Sequence, residues 1–156
     1  MKLLAFLLML AAGSISALTA ETSDRAEGRR SPPQAAKPSA SQQMKIIVGH
    51  RVFIATLNDN VAAAAFKALL PLSLNMHDVN RNEKAFDLSS DLPTADAPPR
   101  IIRTGDLMIW NSRTVVVFYK NFSTPYRYTT LGKIEDPEEL AAVLGAGNVT
   151  VTFELK

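Results

Sequence analysis

Aromatic and methionine side chains are concentrated between residues 76 and 128, on a few predicted strands and the loops between them. Such side chains combine apolar surface with polar tips or flexible thioethers, so together they suit a groove for a peptide segment or a flat ligand. The alternative is that many of them are ordinary core residues. The predicted ligand-binding groove consists of Met76, His77, Phe86, Met108, Trp110, Tyr119, Phe122, Tyr126 and Tyr128.

Titratable side chains offer a second kind of chemistry. His77 could act as a pH-sensitive acid or base, or could lie at a strand edge without a role. Glu83 and Asp106 could pair as acid and base, although Asp106 directly follows Gly105, a combination that is also typical of a turn. These signals name no reaction, and we assign no catalytic residue.

Metal and cofactor chemistry have little support in the sequence. The chain has no cysteine and two histidines, and His50 is a predicted turn residue. A zinc site with three protein ligands would need carboxylates that no spacing marks. There is also no Gly-x-Ser-x-Gly motif, no phosphate-binding glycine loop and no dinucleotide fingerprint. We therefore predict neither a metal nor a cofactor.

The first 43 residues contain two segments that we place outside the folded domain. Residues 1–20 combine a positive start, the apolar run Leu3–Ala12 and small residues, a layout typical of a signal peptide cleaved after Ala20 or Ala17. The alternative is a membrane anchor, for which the apolar run is short. Residues 21–43 have no aromatic, Leu, Ile or Val side chain, which predicts a disordered linker. We predict a periplasmic or secreted protein with no stable membrane insertion after cleavage.

Residues 44–156 form the predicted folded domain. This part of the chain has equal numbers of basic and acidic residues, although the whole chain has a formal net charge of +2. The zero balance removes the main argument for nucleic-acid binding, which needs a basic face. Without cysteine there is no disulfide, so an ordinary hydrophobic core must stabilise the domain. We expect a monomer.

The apolar patterns and turn residues predict eight strands. The last strand is amphipathic and should pair with the first strands to close a barrel. The long segment Ser89–Thr104 is predicted to be a loop, either functional or a simple crossover. The predicted strands are Lys45–Val48, Arg51–Leu57, Pro71–Asp78, Glu83–Leu88, Asp106–Trp110, Thr114–Lys120, Tyr126–Ile134 and Asn148–Leu155.

Two short helices are predicted between these strands. The first, Val61–Leu70, follows a cluster of capping residues and should plug one barrel end with Phe66 and Leu69. The second follows Asp136, which together with Glu139 has the spacing of a capping box. Gly145 is the predicted stop of this second helix.

The chain resembles a bacterial cyclophilin-like fold family of short single-domain proteins. The resemblance lies in the stretches FIATLNDNVAAAAFKALLPLSLNM, RNEKAFDL, GDLMIW, VVVFYK, LGKIEDPEEL and GNVTVTFEL, which cover nearly all of residues 45–155. It implies a mainly β fold, a cyclophilin-like closed eight-stranded antiparallel barrel with two short capping helices. It also implies an apolar groove on one outer face, where cyclophilins hold an extended, proline-containing segment.

Cyclophilin isomerases carry an arginine in a Phe-His-Arg motif on the strand after the first helix. Here that strand reads LSLNMHDV, without arginine. The sequence at residues 50–53 is similar to the motif but lies before the helix. Only Arg100, Arg103 and Arg127 are near enough in strand order to substitute. The sequence therefore favours a binding module for a peptide or small ligand, with a peptidyl-prolyl cis-trans isomerase of non-standard active site as the alternative.

Overall fold

The computed structural model describes residues 42–156. The predicted signal peptide, and the predicted linker up to residue 41, lie outside the described residues. β1 begins at Gln43, one residue before the predicted start of the domain. The elements in chain order are β1 (Gln43–Val48), β2 (Arg51–Leu57), α1 (Val61–Lys67), β3 (Leu72–Val79), β4 (Glu83–Asp87), β5 (Ile101–Ile102), β6 (Asp106–Trp110), β7 (Thr114–Phe118), β8 (Phe122–Ser123), β9 (Thr129–Ile134), α2 (Leu140–Leu144) and β10 (Val149–Leu155).

Eight of these strands form a closed antiparallel barrel, in the order β1-β10-β3-β4-β7-β6-β9-β2. β10 closes it by pairing with β1 on one side, where Phe153 is opposite Ile46, and with β3 on the other, where Val151 is opposite Leu74. The short strands β5 and β8 pair with each other outside the barrel. The predicted fold class, an eight-stranded antiparallel barrel with two short helices, is confirmed.

The main hydrophobic core fills the inside of the barrel. Successive side chains of a strand point to opposite faces, so every second strand residue contributes to this core. Phe66 of α1 is fully buried and packs edge-on against Phe153 of β10, with ring centroids 5.6 Å apart. Leu140 and Leu144 attach α2 to the same core. Both helices are therefore held by burial of a few apolar side chains rather than by length.

The first helix is shorter than predicted. It begins after Asn60, whose side-chain oxygen accepts a hydrogen bond from the backbone N–H of Ala63 at 2.8 Å, and it ends at Lys67. Leu69 lies beyond that end and is 43% exposed, so the prediction that it helps to plug the barrel was wrong. Of the two residues predicted to plug the barrel end, only Phe66 lies in the core.

The second helix does not have the predicted capping box. It begins at Leu140, and Asp136 has a positive φ of 38°, which differs from the extended backbone of an N-cap residue. The reason is tertiary: Glu135 still pairs with the sheet through its N–H to the carbonyl of Ile54 at 2.8 Å. The chain then has to turn sharply before it can become helical. Gly145 ends the helix with a positive φ of 59°, as predicted.

β9 approaches β2 closely at Gly132. A Cβ atom at this position would lie 2.3 Å from the carbonyl oxygen of Thr56, so only glycine fits. Across from Gly132, the register of β6 with β9 shifts between Leu107 and Met108. Gly132 therefore marks an irregular position in the barrel wall.

Candidate functional site

A cavity of about 540 Å³ lies on the outer face of the barrel. Its floor is formed by outward-facing residues of β3, β4 and β7, and its walls by the segment from β8 to β9. No residue of the long loop Ser89–Thr104 lines it. The cavity is lined by His77, Val79, Asn80, Asn82, Glu83, Ala85, Asp87, Trp110, Thr114, Val116, Phe122, Ser123, Thr124, Pro125, Tyr126 and Tyr128.

The structure brings five of the nine predicted groove residues together around this cavity. Each either faces outward from the barrel or lies in the segment from β8 to the start of β9. These five are His77, Trp110, Phe122, Tyr126 and Tyr128.

The other four predicted residues do not line the cavity. Met76, Phe86 and Tyr119 belong to the main core or pack against it, on the inside of the barrel. Met76 and His77 are consecutive in β3, so the alternation of strand side chains places them on opposite faces. Met108 faces outward but is buried in a second hydrophobic cluster. These four residues therefore lie outside the lining of this cavity.

This second cluster supports the cavity from below. It consists of Ile102, Met108, Val116, Phe118 and Tyr128, with Phe122 packed against it. Phe118 is its centre, with ring centroids 5.7 Å from Phe122 and 5.5 Å from Tyr128 in an edge-on arrangement. Because Val116, Phe122 and Tyr128 also line the cavity, this packing fixes part of its wall.

Two aromatic side chains of the lining are exposed to solvent. Trp110, at the end of β6, is 45% exposed, and Tyr126, in the loop after β8, is 60% exposed. The remaining aromatic lining residues, Phe122 and Tyr128, are half-buried and buried. The cavity therefore has a packed inner wall and an open aromatic rim.

One acidic side chain of the cavity, Glu83, has a shifted pKa. Partial burial and the neighbouring charge of Asp78 raise the pKa of Glu83 from 4.5 to about 7. Burial, together with the charge of Glu83, also raises the pKa of Tyr128. Among residues 42–156, the Glu83 carboxylate has no hydrogen bond or ion pair. The adjacent Asn82 has a buried side-chain oxygen that likewise finds no hydrogen-bond partner in this part of the chain.

Directly behind Glu83, Lys84 is fully buried on the inner side of the wall. Its Nζ donates to Asp78 Oδ2 at 2.6 Å and to the carbonyl oxygens of Gly145 at 2.9 Å and Gly147 at 2.7 Å. The hydroxyl of Tyr119 donates to the same Asp78 oxygen at 2.9 Å. The hydrogen bond from Lys84 is the main cause that lowers the pKa of Asp78. This network ties the β3–β4 hairpin to the segment between α2 and β10.

The predicted acid–base pair of Glu83 and Asp106 is not brought together. Asp106 lies on β6, separated from β4 by β7, and it does not line the cavity. Its Oδ2 instead accepts a hydrogen bond from the backbone N–H of Arg103 at 2.8 Å. Of the two interpretations of Asp106, a turn residue agrees better with this contact than an acid–base partner of Glu83 does.

The three candidate arginines all lie outside the cavity lining. Arg100, Arg103 and Arg127 are exposed, and the guanidinium of Arg127 donates to the backbone carbonyl of Asp96 at 2.6 Å. Within residues 42–156, no group of three or more His, Asp or Glu side chains is close enough to hold a metal ion. In the same range, no helix has the length and apolar character needed to cross a membrane.

The closed barrel, its two short helices and the cavity on one outer face define a small antiparallel barrel protein with a surface site. The sequence model of the Cyclophilin-like family matches residues 46–154. The chain belongs to this family, which confirms the resemblance found in the sequence. A search of curated proteins finds no match.

A solved structure with the same fold is the solution structure of a hypothetical protein from Archaeoglobus fulgidus. The two chains are 16% identical, with a TM-score of 0.51 over 75% of this chain and 96% of the other. At this level of identity the similarity shows the fold alone.

Proposed function

We propose that this protein is an exported member of the Cyclophilin-like family that binds a peptide segment or a small ligand in the outer-face cavity. The observation that carries the proposal is the cavity itself. Its volume of about 540 Å³ lies within the range of roughly 300–1,000 Å³ that is typical of ligand sites. Aromatic walls with a few convergent polar groups are also the usual composition of such sites.

The exposed rim adds support to the proposal. Trp110 and Tyr126 leave much of their apolar surface in water, and a ligand in the cavity would cover part of it. Large aromatic side chains at the edge of a pocket contribute strongly to binding when they become buried. The inner wall needs no rearrangement, because Phe118 already fixes Phe122 and Tyr128 by ring packing.

The proposal is tested by a binding screen on the full-length chain labelled with nitrogen-15. Two mixtures are used, one of small aromatic and amine fragments and one of short extended peptides with and without proline. We expect some compounds to shift the amide resonances of His77, Glu83, Trp110 and Tyr126. If no compound shifts them, or if hits shift only residues outside the cavity lining, such as residues 135–139, the proposal is contradicted.

The alternative is a peptidyl-prolyl isomerase, which would use a groove on an outer face of the barrel, as cyclophilins do. Its difficulty is the lack of a cationic donor, because none of the lining residues is Arg or Lys. The measurement that decides is the cis–trans interconversion rate of X–Pro peptides with the full-length chain. A rate above background that disappears in Arg100→Ala, Arg103→Ala or Arg127→Ala would favour the isomerase over the binding module.

A further inference from the structure

The polar groups that converge on the cavity are acceptors rather than cations. Two carboxylates, Glu83 and Asp87, lie at opposite ends of β4, and Lys and Arg are missing from the lining. Asp87 Oδ1 already accepts a hydrogen bond from the Thr114 hydroxyl at 2.6 Å. The nearest buried cation, Lys84, faces the other side of the wall and uses its three donors there. The electrostatic field inside the cavity therefore favours positive charge.

The strongest local feature is the carboxylate of Glu83, which lines the cavity without a partner among residues 42–156. Within the described part of the chain, the Glu83 carboxylate and the buried Asn82 side-chain oxygen have no partner. A buried acceptor without a hydrogen bond is costly, and a half-buried carboxylate without a counter-charge is more so. A ligand that carries N–H donors and a positive charge would satisfy the Glu83 carboxylate.

Resting on the proposed binding function, we propose that the cavity recognises a cationic nitrogen, an amine or a guanidinium, held by Glu83. The remaining walls, including Val116, Phe122 and Trp110, are apolar or aromatic. The ligand is therefore an organic cation with an apolar body rather than a metal ion. The same chemistry is supplied by a free amine and by a basic side chain next to an apolar one in a peptide.

The charge of Glu83 makes this recognition dependent on pH. The pKa of Glu83 is raised to about 7, so the carboxylate becomes available for a cation only as the pH rises through this value. A bound cation would in turn lower that pKa. The titratable and charged groups around Glu83 come from every neighbouring element. They are His77 and Asp78 on β3, Arg81 in the β3–β4 turn, Lys84 and Asp87 on its own strand, Tyr119 directly after β7, and Tyr128 directly before β9.

Trp110 is the sole tryptophan of the chain and lines the cavity, so its fluorescence reports occupancy without a label. Three matched probes share a phenyl body: phenethylamine, 2-phenylethanol and 3-phenylpropionate. Dissociation constants are measured on the full-length protein at about pH 8 and about pH 5, either side of the Glu83 transition. We expect the amine to bind about tenfold more tightly than the alcohol at the higher pH, with this ratio near one at the lower pH.

Variants assign the preference to Glu83. In Glu83→Gln we expect the amine to lose its advantage over the alcohol at the higher pH, and the amide spectrum of the labelled variant shows whether the fold is intact. Glu138→Gln, an exposed acid outside the cavity, should keep the preference. His77→Gln serves as a second control, since His77 also lines the cavity, and the pH dependence should persist in it.

A pair of acetylated dipeptide amides, Phe-Lys and Phe-norleucine, distinguishes the two sources of the cation. Tighter binding of the Phe-Lys amide than of phenethylamine would point to a peptide, and the reverse to a small amine. Equal affinity for the amine and the alcohol, or a preference for phenylpropionate, would overturn the cation proposal and leave the binding function standing. If no probe changes the fluorescence, the cation proposal also fails, and the labelled-chain screen decides the binding function separately.

Discussion

Glu83 and Lys84 are consecutive residues of β4, and the barrel wall separates their side chains. Glu83 lines the outer cavity, whereas Lys84 is fully buried inside and pairs with Asp78 at 2.6 Å. The charge of Asp78 contributes to the raised pKa of Glu83. The ion pair on the inner side of the wall therefore influences the protonation of the acid on the outer side.

Replacement of Lys84 by methionine should destabilise the protein strongly. The variant removes the charge partner of Asp78 and the side-chain donor to the carbonyl groups of Gly145 and Gly147. Loss of one partner of a buried ion pair costs about 3–5 kcal/mol. Urea unfolding measures the loss. Lys133→Met is the control, since Lys133 is exposed and 4.0 Å from Asp106, and it should cost less than about 1 kcal/mol. Similar losses in both variants would contradict the role given to Lys84.

Glu83 should make the folded protein less stable as the pH rises. Its pKa is higher in the folded protein, about 7, than the ordinary value of 4.5, so between these values the folded state binds more protons than the unfolded state. The free energy of unfolding must then fall with rising pH in this window. Urea unfolding from about pH 4 to about pH 8 checks the slope, and Glu83→Gln should remove this contribution.

The exposed Glu138→Gln variant should keep the slope of the parent protein. Carbon NMR of the side-chain carboxyl gives the Glu83 titration directly. A midpoint near the ordinary value of a glutamate would show that the cavity does not perturb this acid.

Gly132→Ala should be among the most damaging alanine substitutions in the sheet. The new Cβ would lie 2.3 Å from the carbonyl oxygen of Thr56, which is backbone and cannot move alone. Overpacking of this kind costs about 1–3 kcal/mol or more. Gly49→Ala is the comparison, because Gly49 has a positive φ of 58° but open space around it, and its cost should be about 1 kcal/mol. A smaller loss for Gly132→Ala than for Gly49→Ala in thermal unfolding would count against this packing.

Export is tested by the mass of the mature chain. When the full-length chain is expressed in a bacterium with two membranes, we expect the periplasmic form to begin at Glu21, or at Leu18 if cleavage follows Ala17. Leu7→Arg, which puts a charge into the apolar run, should leave the chain unprocessed in the cytoplasm. An unprocessed parent chain in the cytoplasmic fraction would refute export.

Much of the fold could be predicted from local patterns. The eight predicted strands correspond to the eight barrel strands, because alternation and turn residues are local signals, as in the hairpin at Asn80 and Arg81, both with positive φ. The start of α2 could not be predicted in this way. It depends on the bond between Glu135 and Ile54, which joins residues far apart in the sequence.

The groove residues were predicted from residue type alone. The alternation of side chains along each strand, which decides the face that a residue occupies, should have been used as well. This alternation places Met76 and His77 on opposite faces of β3, and it places Lys84 on the inner face of β4 together with Phe86. A lysine in phase with core residues is the signal that could have revealed the ion pair with Asp78. The position of Tyr126 at the rim was harder to predict from the sequence, because it depends on the pairing of β8 with β5 outside the barrel.

The most direct test of the proposed site is to fill the cavity. Ala85 faces outward from β4, lines the cavity and is 3% exposed, so the side chain of Ala85→Phe must occupy ligand space. Asn75→Phe is the control, on the outward face of β3 but outside the lining. For a ligand found in the screen, the dissociation constant from Trp110 fluorescence should rise at least about tenfold in Ala85→Phe and stay unchanged in Asn75→Phe. Unchanged binding in a folded Ala85→Phe variant would contradict the claim that this cavity is the binding site.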